Sequence, residues 1–219
     1  MPRLLCRALL CGTLMHLCPL AIAMPPALVG EAGVGAYEAG RLDDAARLFE
    51  QAARAGNRLA QFNYAMMLLR GETTARDDHA AWRWLRRAAA AGLPQAQYEL
   101  AVLYDHGDGV ERSLPTAAEW YRRAAEQGHV DAQVSLAAMY FAGRGIPLDP
   151  AAAARWYHAA ASAGHAGAQN ALAGMYETGS GVEPDPDLAA HWYREAAKHG
   201  NAEARAKVEA LGPEEGAAQ

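Results

Sequence analysis

The chain has 219 residues, enough for one ordinary domain or one short repeat array, and carries a formal net charge of −5. This mildly acidic balance argues against a surface for nucleic acid or anionic lipid, because both attract basic proteins. All three cysteines, Cys6, Cys11 and Cys18, fall within the first 23 residues. Thiol catalysis and cysteine metal sites are therefore excluded from the rest of the chain.

Residues 1–23 have the pattern of a secretory signal peptide. Arg3 and Arg7 precede a mostly apolar stretch, and Ala21-Ile22-Ala23 supplies the small residues that signal peptidase recognises. His16 and Pro19 interrupt the apolar stretch, which makes it a poor membrane span and disfavours a retained anchor. We therefore expect cleavage after Ala23, a periplasmic or secreted protein, and no stable membrane span in the mature chain.

The residues that follow the leader are expected to form an N-terminal segment at 24–35 and then a divergent first repeat at about 36–56. That repeat is indicated by Tyr37-Glu38-Ala39-Gly40 and by the stretch from Phe49 to Gly56. Its loop is shorter than those of the later copies.

From residue 58 onward the sequence repeats with a period of 36 residues. Tryptophan, glycine, alanine and glutamine each recur at a fixed slot of this period. The slots hold Trp84, Trp120, Trp156 and Trp192; Gly92, Gly128, Gly164 and Gly200; Ala60, Ala96, Ala132 and Ala168; and Gln61, Gln97, Gln133 and Gln169. Agreement at so many slots indicates a repeat array.

Each repeat is predicted to form two helices joined by a glycine-containing loop. In the first helix apolar residues share one face at helical spacing, as from Ala96 through Leu100 to Tyr104. The loop Gly107-Asp108-Gly109-Val110 follows, and its first glycine suits a helix C-cap. Ser113 and its equivalents in later copies are good N-cap residues for the second helix. One helix pair cannot bury its own apolar face, so the copies must stack.

These residues resemble the Sel-1-like repeat, a relative of the tetratricopeptide repeat. The shared pattern is Ala-x-x-x-Leu, Tyr-x-x-Gly-x-Gly-Val, Asp and Trp-Tyr-x-x-Ala-Ala-x-x-Gly. The copies fall at residues 58–92, 94–128, 130–164 and 166–200. The copy at 58–92 departs from the pattern, because its loop is Gly71-Glu72-Thr73-Thr74.

The resemblance implies an all-α fold: a right-handed α-solenoid of stacked helix-turn-helix, Sel-1-like or tetratricopeptide-like repeats over residues 36–212. A capping helix is expected at about 202–211, since a solenoid end must be covered. Residues 213–219 are expected to form a disordered tail.

The sequence beyond the leader offers no assembled chemistry. It contains no His-Glu-x-x-His, Walker-type or Gly-x-Ser-x-Gly motif. His129 and His165 occupy a slot that holds Asn57 and Asn201 in other copies, which points to a connecting role. Asp185 is better explained as an N-cap than as a calcium ligand. We predict no catalytic residue, no cofactor and no metal site.

By analogy with tetratricopeptide arrays, one face of each first helix lines a concave groove. The candidate protein-binding residues on that face are Leu59, Phe62, Met66, Leu69, Tyr98, Val102 and Phe141. Helix 58–70 carries four of them as a second apolar stripe, which should be covered by something. Two interpretations stay open: residues 25–40, with Leu28 and Val29, fold across the stripe, or a partner peptide or helix binds there.

Three functions remain under consideration. The first is a non-catalytic protein–protein interaction adaptor or scaffold in the bacterial cell envelope, as the resemblance implies. The second is β-lactam binding or hydrolysis, described for cysteine-rich family members, although the chain beyond residue 23 lacks both cysteine and a Ser-x-x-Lys motif. The third is a self-associating structural protein with the apolar helix as a homodimer face. We favour the first, with a protein or peptide partner of unknown identity and no nucleic acid.

Overall fold

The computed structural model describes residues 24–73 and 76–211. The predicted signal peptide at 1–23 and the predicted tail at 213–219 lie outside these described residues. Within them the chain forms eleven α-helices and no strand, so the prediction of an all-α solenoid is confirmed. The helices are α1 (Pro26–Glu38), α2 (Leu42–Arg54), α3 (Arg58–Arg70), α4 (Asp78–Ala90), α5 (Pro94–His106), α6 (Leu114–Glu126), α7 (Val130–Ala142), α8 (Pro150–Ser162), α9 (Ala166–Thr178), α10 (Pro186–Lys198) and α11 (Ala202–Leu211).

The helices pair into five hairpins, from α1–α2 to α9–α10, and each hairpin packs on the next. The second helix of one hairpin contacts the first helix of the following hairpin, and α11 packs against α10 at the C-terminal end. Fully buried alanines such as Ala88, Ala96 and Ala124 lie in the cores between these helices. Because alanine is small, neighbouring helix axes can approach closely, and the larger rings fill the remaining space.

The first helix pair begins earlier than the sequence indicated. Residues 24–35, expected to be a segment outside the repeats, are helical from Pro26 and belong to α1. Gly33 faces α2 so closely that a Cβ atom there would lie 2.7 Å from the ring of Phe49. Glycine is a poor helix former, which hid this helix in the sequence, yet it allows α1 to pack tightly on α2.

The position of α1 argues against the first of the two interpretations of the apolar stripe on α3. It packs chiefly on α2 and contacts α3 only slightly, while Leu28 remains 47% exposed. Residues 25–40 therefore do not fold across helix 58–70 as that alternative supposed. They run beside it and leave part of the stripe open.

The caps at the helix termini repeat along the array. Each first helix from α3 onward, except α5, has a side chain at its N-cap that accepts a hydrogen bond from the backbone N–H three residues later. These N-caps are Asn57, His129, His165 and Asn201. The second helices use Asp77, Ser113, Asp149 and Asp185 in the same way. The predicted connecting role of the two histidines is thus an N-cap, which satisfies an otherwise unpaired donor.

The recurring glutamines tie each hairpin to the one before it. All four are buried, and the side-chain Nε2 of each donates to the carbonyl oxygen of the residue eight positions earlier, at the end of the preceding helix. The donor–acceptor pairs are Gln61 to Ala53 (3.1 Å), Gln97 to Ala89 (3.2 Å), Gln133 to Ala125 (3.2 Å) and Gln169 to Ala161 (3.0 Å). Since a helix C-terminus leaves carbonyls unpaired, a buried amide donor at this slot explains why glutamine recurs.

The cap at His129 makes the stability of the array depend on pH. Burial lowers the pKa of the His129 imidazole, and the nearby Asp131 carboxylate offsets part of that fall. The unfolded chain binds a proton near pH 6.5, whereas the folded chain resists it until lower pH. The stabilising contribution of the neutral ring is therefore complete above about pH 6.5 and is lost as pH falls through the lower folded-state value.

We expect His129→Asn to weaken this pH dependence, because asparagine caps α3 and α11 at the same slot without titrating. Loss of the cap on protonation should cost about 1 kcal/mol. Urea unfolding of the variant and the wild type at pH 7.5 and pH 5.5 measures the difference, with the exposed His79→Asn as the control. An unchanged pH dependence in His129→Asn would contradict the assignment.

Candidate protein-binding groove

A cavity of about 460 Å³ opens between the first helices α1, α3 and α5. We call it the groove cavity, and its size lies in the range typical of ligand pockets. Its lining residues come from all three helices, from α2 and from the loop after α3. They are Val34, Tyr37, Glu38, Phe49, Phe62, Asn63, Met66, Met67, Arg70, Glu72 and Glu99.

The floor of the groove cavity is apolar. Phe49 and Met67 are buried in the core beneath it, whereas Phe62 and Met66 are only half-buried and face the opening. The repeat frame does not require large side chains at these two slots, because α9 has Asn170 and Gly174 there. Phe62 and Met66 are thus large apolar groups that folding leaves partly exposed.

One edge of the groove cavity is fixed by a polar network. The Tyr37 hydroxyl donates to the Glu72 carboxylate at 3.1 Å, and the Arg70 guanidinium donates to the Tyr37 hydroxyl oxygen at 3.2 Å. Arg70 also lies 3.9 Å from Glu72. These contacts join α1 to the end of α3 and hold the edge in place.

Glu99 on α5 lies on the other side of the groove cavity. Its side chain is half-buried, and burial raises the pKa of the carboxyl above its ordinary value, while the Arg70 charge offsets part of that rise. No hydrogen bond or ion pair joins Glu99 to another residue in the described part of the chain. A partly desolvated carboxylate that feels the Arg70 charge but has no hydrogen bond or ion pair is an unusual feature for a structural position.

The structure brings only some of the predicted groove residues together. Phe62 and Met66 share the groove cavity, and Leu59 lies at the start of α3 with 50% exposure. Leu69 lines a separate hollow with Trp82 and Leu103. The predicted groove residues on α3 therefore do not all face the same opening.

The remaining candidates lie further along the array. Phe141 is 45% exposed and lines a third hollow, beside Tyr157 and Met175. Tyr98 and Val102 pack against the core between α5, α6 and α7. They serve the junction between repeats and do not line the groove cavity.

Tyr98 is a particularly clear case of such a junction residue. Its ring stacks on His129 with centroids 4.7 Å apart and lies 5.7 Å from the ring of Tyr121. Because His129 caps the next first helix, Tyr98 links α5 to the start of α7. Substitution of Tyr98 would therefore disturb packing as well as any binding surface.

The C-terminal half of the groove is polar and internally paired. Arg144 forms an ion pair with Asp105 at 2.7 Å, and Glu177 accepts hydrogen bonds from Tyr193 at 2.6 Å and Lys207 at 2.9 Å. The hydrogen bond from Tyr193, and then that from Lys207, lower the pKa of the Glu177 carboxyl. These charged groups are joined by hydrogen bonds or an ion pair within the chain, whereas Glu99 has only the partial offset from the Arg70 charge.

The described residues contain no group of three or more His, Cys, Asp or Glu side chains placed to hold a metal ion. No helix between residues 24–73 or 76–211 is long and apolar enough to cross a membrane.

Comparison with known proteins identifies the repeats. The Sel1 repeat family model matches residues 41–57, 58–93, 94–129, 130–165 and 166–201. No curated protein matches the chain.

Two solved structures are 31% identical to the chain and are matched over 85% of its length. One, with a TM-score of 0.80, is a protective antigen present in uropathogenic Escherichia coli strains that displays an SLR fold. The other, with a TM-score of 0.75, is a Sel1 repeat protein from Oxalobacter formigenes. The chain covers 41% of the first and 78% of the second, so it spans less than half the length of the antigen.

Sel1 repeats form a fold used for protein–protein interaction, and the family is generally a non-enzymatic scaffold. The matched repeats occupy most of the sequence, and the helix pairs, caps and stacking follow the same period. The chain belongs to the Sel1-repeat family.

Proposed function

We propose that this protein is a non-catalytic interaction adaptor that binds a segment of a partner protein in the groove cavity. The observation that carries the proposal is the pair Phe62 and Met66, two large apolar side chains left half-buried at the floor of an open cavity. Phe62 also packs against the core between α3, α4 and α5. Part of both side chains still faces the cavity, and a partner that covered them would remove that apolar surface from water.

The cavity has the composition of a protein-binding site more than that of an enzyme site. Its floor is apolar, its edge carries a few polar groups, and its walls are helices held by repeat packing. Such pre-formed grooves bind peptides or helices with little loss of conformational entropy in the receptor.

We also propose that the protein acts in the bacterial cell envelope, in the periplasm or after secretion. The support is the basic and then apolar leader that ends in Ala21-Ile22-Ala23. Edman sequencing or mass spectrometry of the protein from its producing cells tests this, since cleavage predicts a chain that begins at Met24.

The binding proposal predicts that Phe62→Ala combined with Met66→Glu abolishes capture of the partner while leaving the helical content unchanged. The charge introduced at Met66 would lie in an apolar floor, so a bound apolar group would lose its contact surface. Crosslinking in cells, purification of the protein and mass spectrometry measure the recovery of each copurified protein, and circular dichroism measures the helicity.

The matched control is Leu148→Glu, because Leu148 is a 64% exposed apolar residue in the loop before α8, outside the groove cavity. It should leave recovery unchanged. If the Phe62/Met66 variant still recovers the same partner as the wild type, the groove cavity is not the binding site.

A further inference from the structure

The charges that line the groove cavity are unbalanced. Three of its four charged side chains, Glu38, Glu72 and Glu99, are acidic, and the fourth is Arg70. Glu72 and Arg70 are already engaged with each other and with Tyr37. Glu38 and Glu99 have no hydrogen bond or ion pair to any residue between 24–73 or 76–211. The four charges that line the cavity therefore sum to −2, and the Arg70 charge offsets that of Glu99 only in part.

These two carboxylates lie on opposite sides of the apolar floor. Glu38 is at the end of α1 and Glu99 is in α5, while Phe62 and Met66 belong to α3 between them. The groove cavity thus presents an apolar centre with an acid on either side. A ligand that matches it needs an apolar group in the middle and positive charge at both flanks.

The surroundings of Glu99 lower the desolvation cost of pairing its carboxylate with a cation. Folding has already half-buried its side chain and raised its pKa, so part of the desolvation that ion pairing requires has taken place before a partner arrives. An acidic partner would instead meet repulsion, and a purely apolar one would bury Glu99 further without a counter-charge.

We propose that the groove cavity docks a partner segment in which one large apolar side chain is flanked on both sides by lysine or arginine. The apolar side chain packs on Phe62 and Met66, and the flanking cations pair with Glu38 and Glu99. This proposal rests on the proposed function of the cavity as a protein-binding site and adds the chemistry of the partner.

The test uses a phage-displayed library of random peptides selected on the purified full chain. Enriched peptides are synthesised with a fluorescent label, and their affinity is measured by fluorescence anisotropy. The proteins compared are wild type, Glu38→Gln/Glu99→Gln, Phe62→Ala/Met66→Ala and Glu126→Gln. Glu126 is an exposed acid on the second helix α6, so its variant controls for loss of negative charge outside the cavity. Circular dichroism verifies that each variant is folded.

We expect enrichment of an apolar residue with lysine or arginine on both sides. Affinity for such peptides should fall about tenfold or more in Glu38→Gln/Glu99→Gln and weaken with added salt, since paired charges are removed or screened. The Glu126→Gln variant should bind within about twofold of wild type, because exposed charges far from a contact contribute little.

The outcomes distinguish failure of the proposed partner chemistry from failure of the groove cavity as a protein-binding site. Peptides that bind Glu38→Gln/Glu99→Gln as well as wild type, yet lose binding in Phe62→Ala/Met66→Ala, overturn the basic chemistry and keep the cavity as a binding site. Peptides that tolerate both variants, or a selection with no enrichment, overturn both. A dimer in sedimentation that Phe62→Ala/Met66→Ala abolishes would assign the cavity to a second copy and also overturn the proposal.

Discussion

Gly181→Ala is expected to destabilise the protein by about 3 kcal/mol or more, whereas Gly109→Ala should cost only about 1 kcal/mol. Both glycines occupy the second glycine position of their loops, and both have a left-handed backbone, with φ of 75° and 71°. An alanine at either position pays the same conformational cost. The difference must therefore come from what surrounds the new methyl group.

The surroundings of these two glycines differ sharply. At Gly181 a Cβ atom would overlap the backbone carbonyl of Pro150, at the first turn of the preceding second helix α8. At Gly109 no atom lies within 4 Å, because the preceding repeat has the divergent loop and a hollow beside Asp78. The second loop glycine therefore contacts the preceding repeat where the loop of that preceding repeat also follows the family pattern.

Urea unfolding of the two variants and the wild type measures the two losses of free energy. Equal losses would mean that only the backbone conformation matters and that loops and helices of successive repeats do not meet tightly. Gly145→Ala gives a second example, since a Cβ atom there would lie 2.7 Å from the carbonyl carbon of Leu114.

Trp120→Ala is expected to lower the free energy of unfolding by about 3 kcal/mol. Trp120 is half-buried and packs on two buried clusters, one around Leu100 and the other around Leu136, which belong to neighbouring repeats. The Arg123 guanidinium also lies 4.5 Å from the centre of its ring. Loss of the ring removes packing from both clusters at once.

Because stability in a solenoid depends on contacts between neighbouring repeats, Trp120→Ala should also broaden the unfolding transition. Urea titration followed by circular dichroism at 222 nm measures both effects, with the exposed Leu148→Ala as the control that should change little. A loss below about 1 kcal/mol with an unchanged slope would show that the two clusters do not depend on this ring.

The sequence alone was sufficient to predict the repeats, because each copy has the same residues at the same slots. The tryptophan, glycine and glutamine slots predict helix pairs at 58–92 and beyond, and the structure has them there. It was insufficient for α1, since Gly30 and Gly33 lower the helix propensity of that segment. α1 packs on α2 through the buried Val29 and Ala36 and through the close approach of Gly33 to Phe49, and contacts between distant residues leave no periodic signal.

The groove cavity was only partly predictable for the same reason. Phe62 and Met66 stand out because they are large apolar residues at slots that vary between copies. Tyr37 could not be assigned to the site until α1 had a position. Glu99 left one signal, an acid at a slot that holds Asn63 and Ala171 in other copies. Only the structure shows that it has no hydrogen bond or ion pair within residues 24–73 and 76–211.

The most direct test of the groove cavity is site-specific photocrosslinking in the cells that produce the protein. Benzoylphenylalanine is placed either at Met66, on the floor of the cavity, or at Leu188, an exposed apolar residue of the second helix α10. The binding proposal predicts a discrete adduct with one partner protein from position 66 and none from position 188. The same adduct from both positions, or an adduct from position 188 alone, would contradict it.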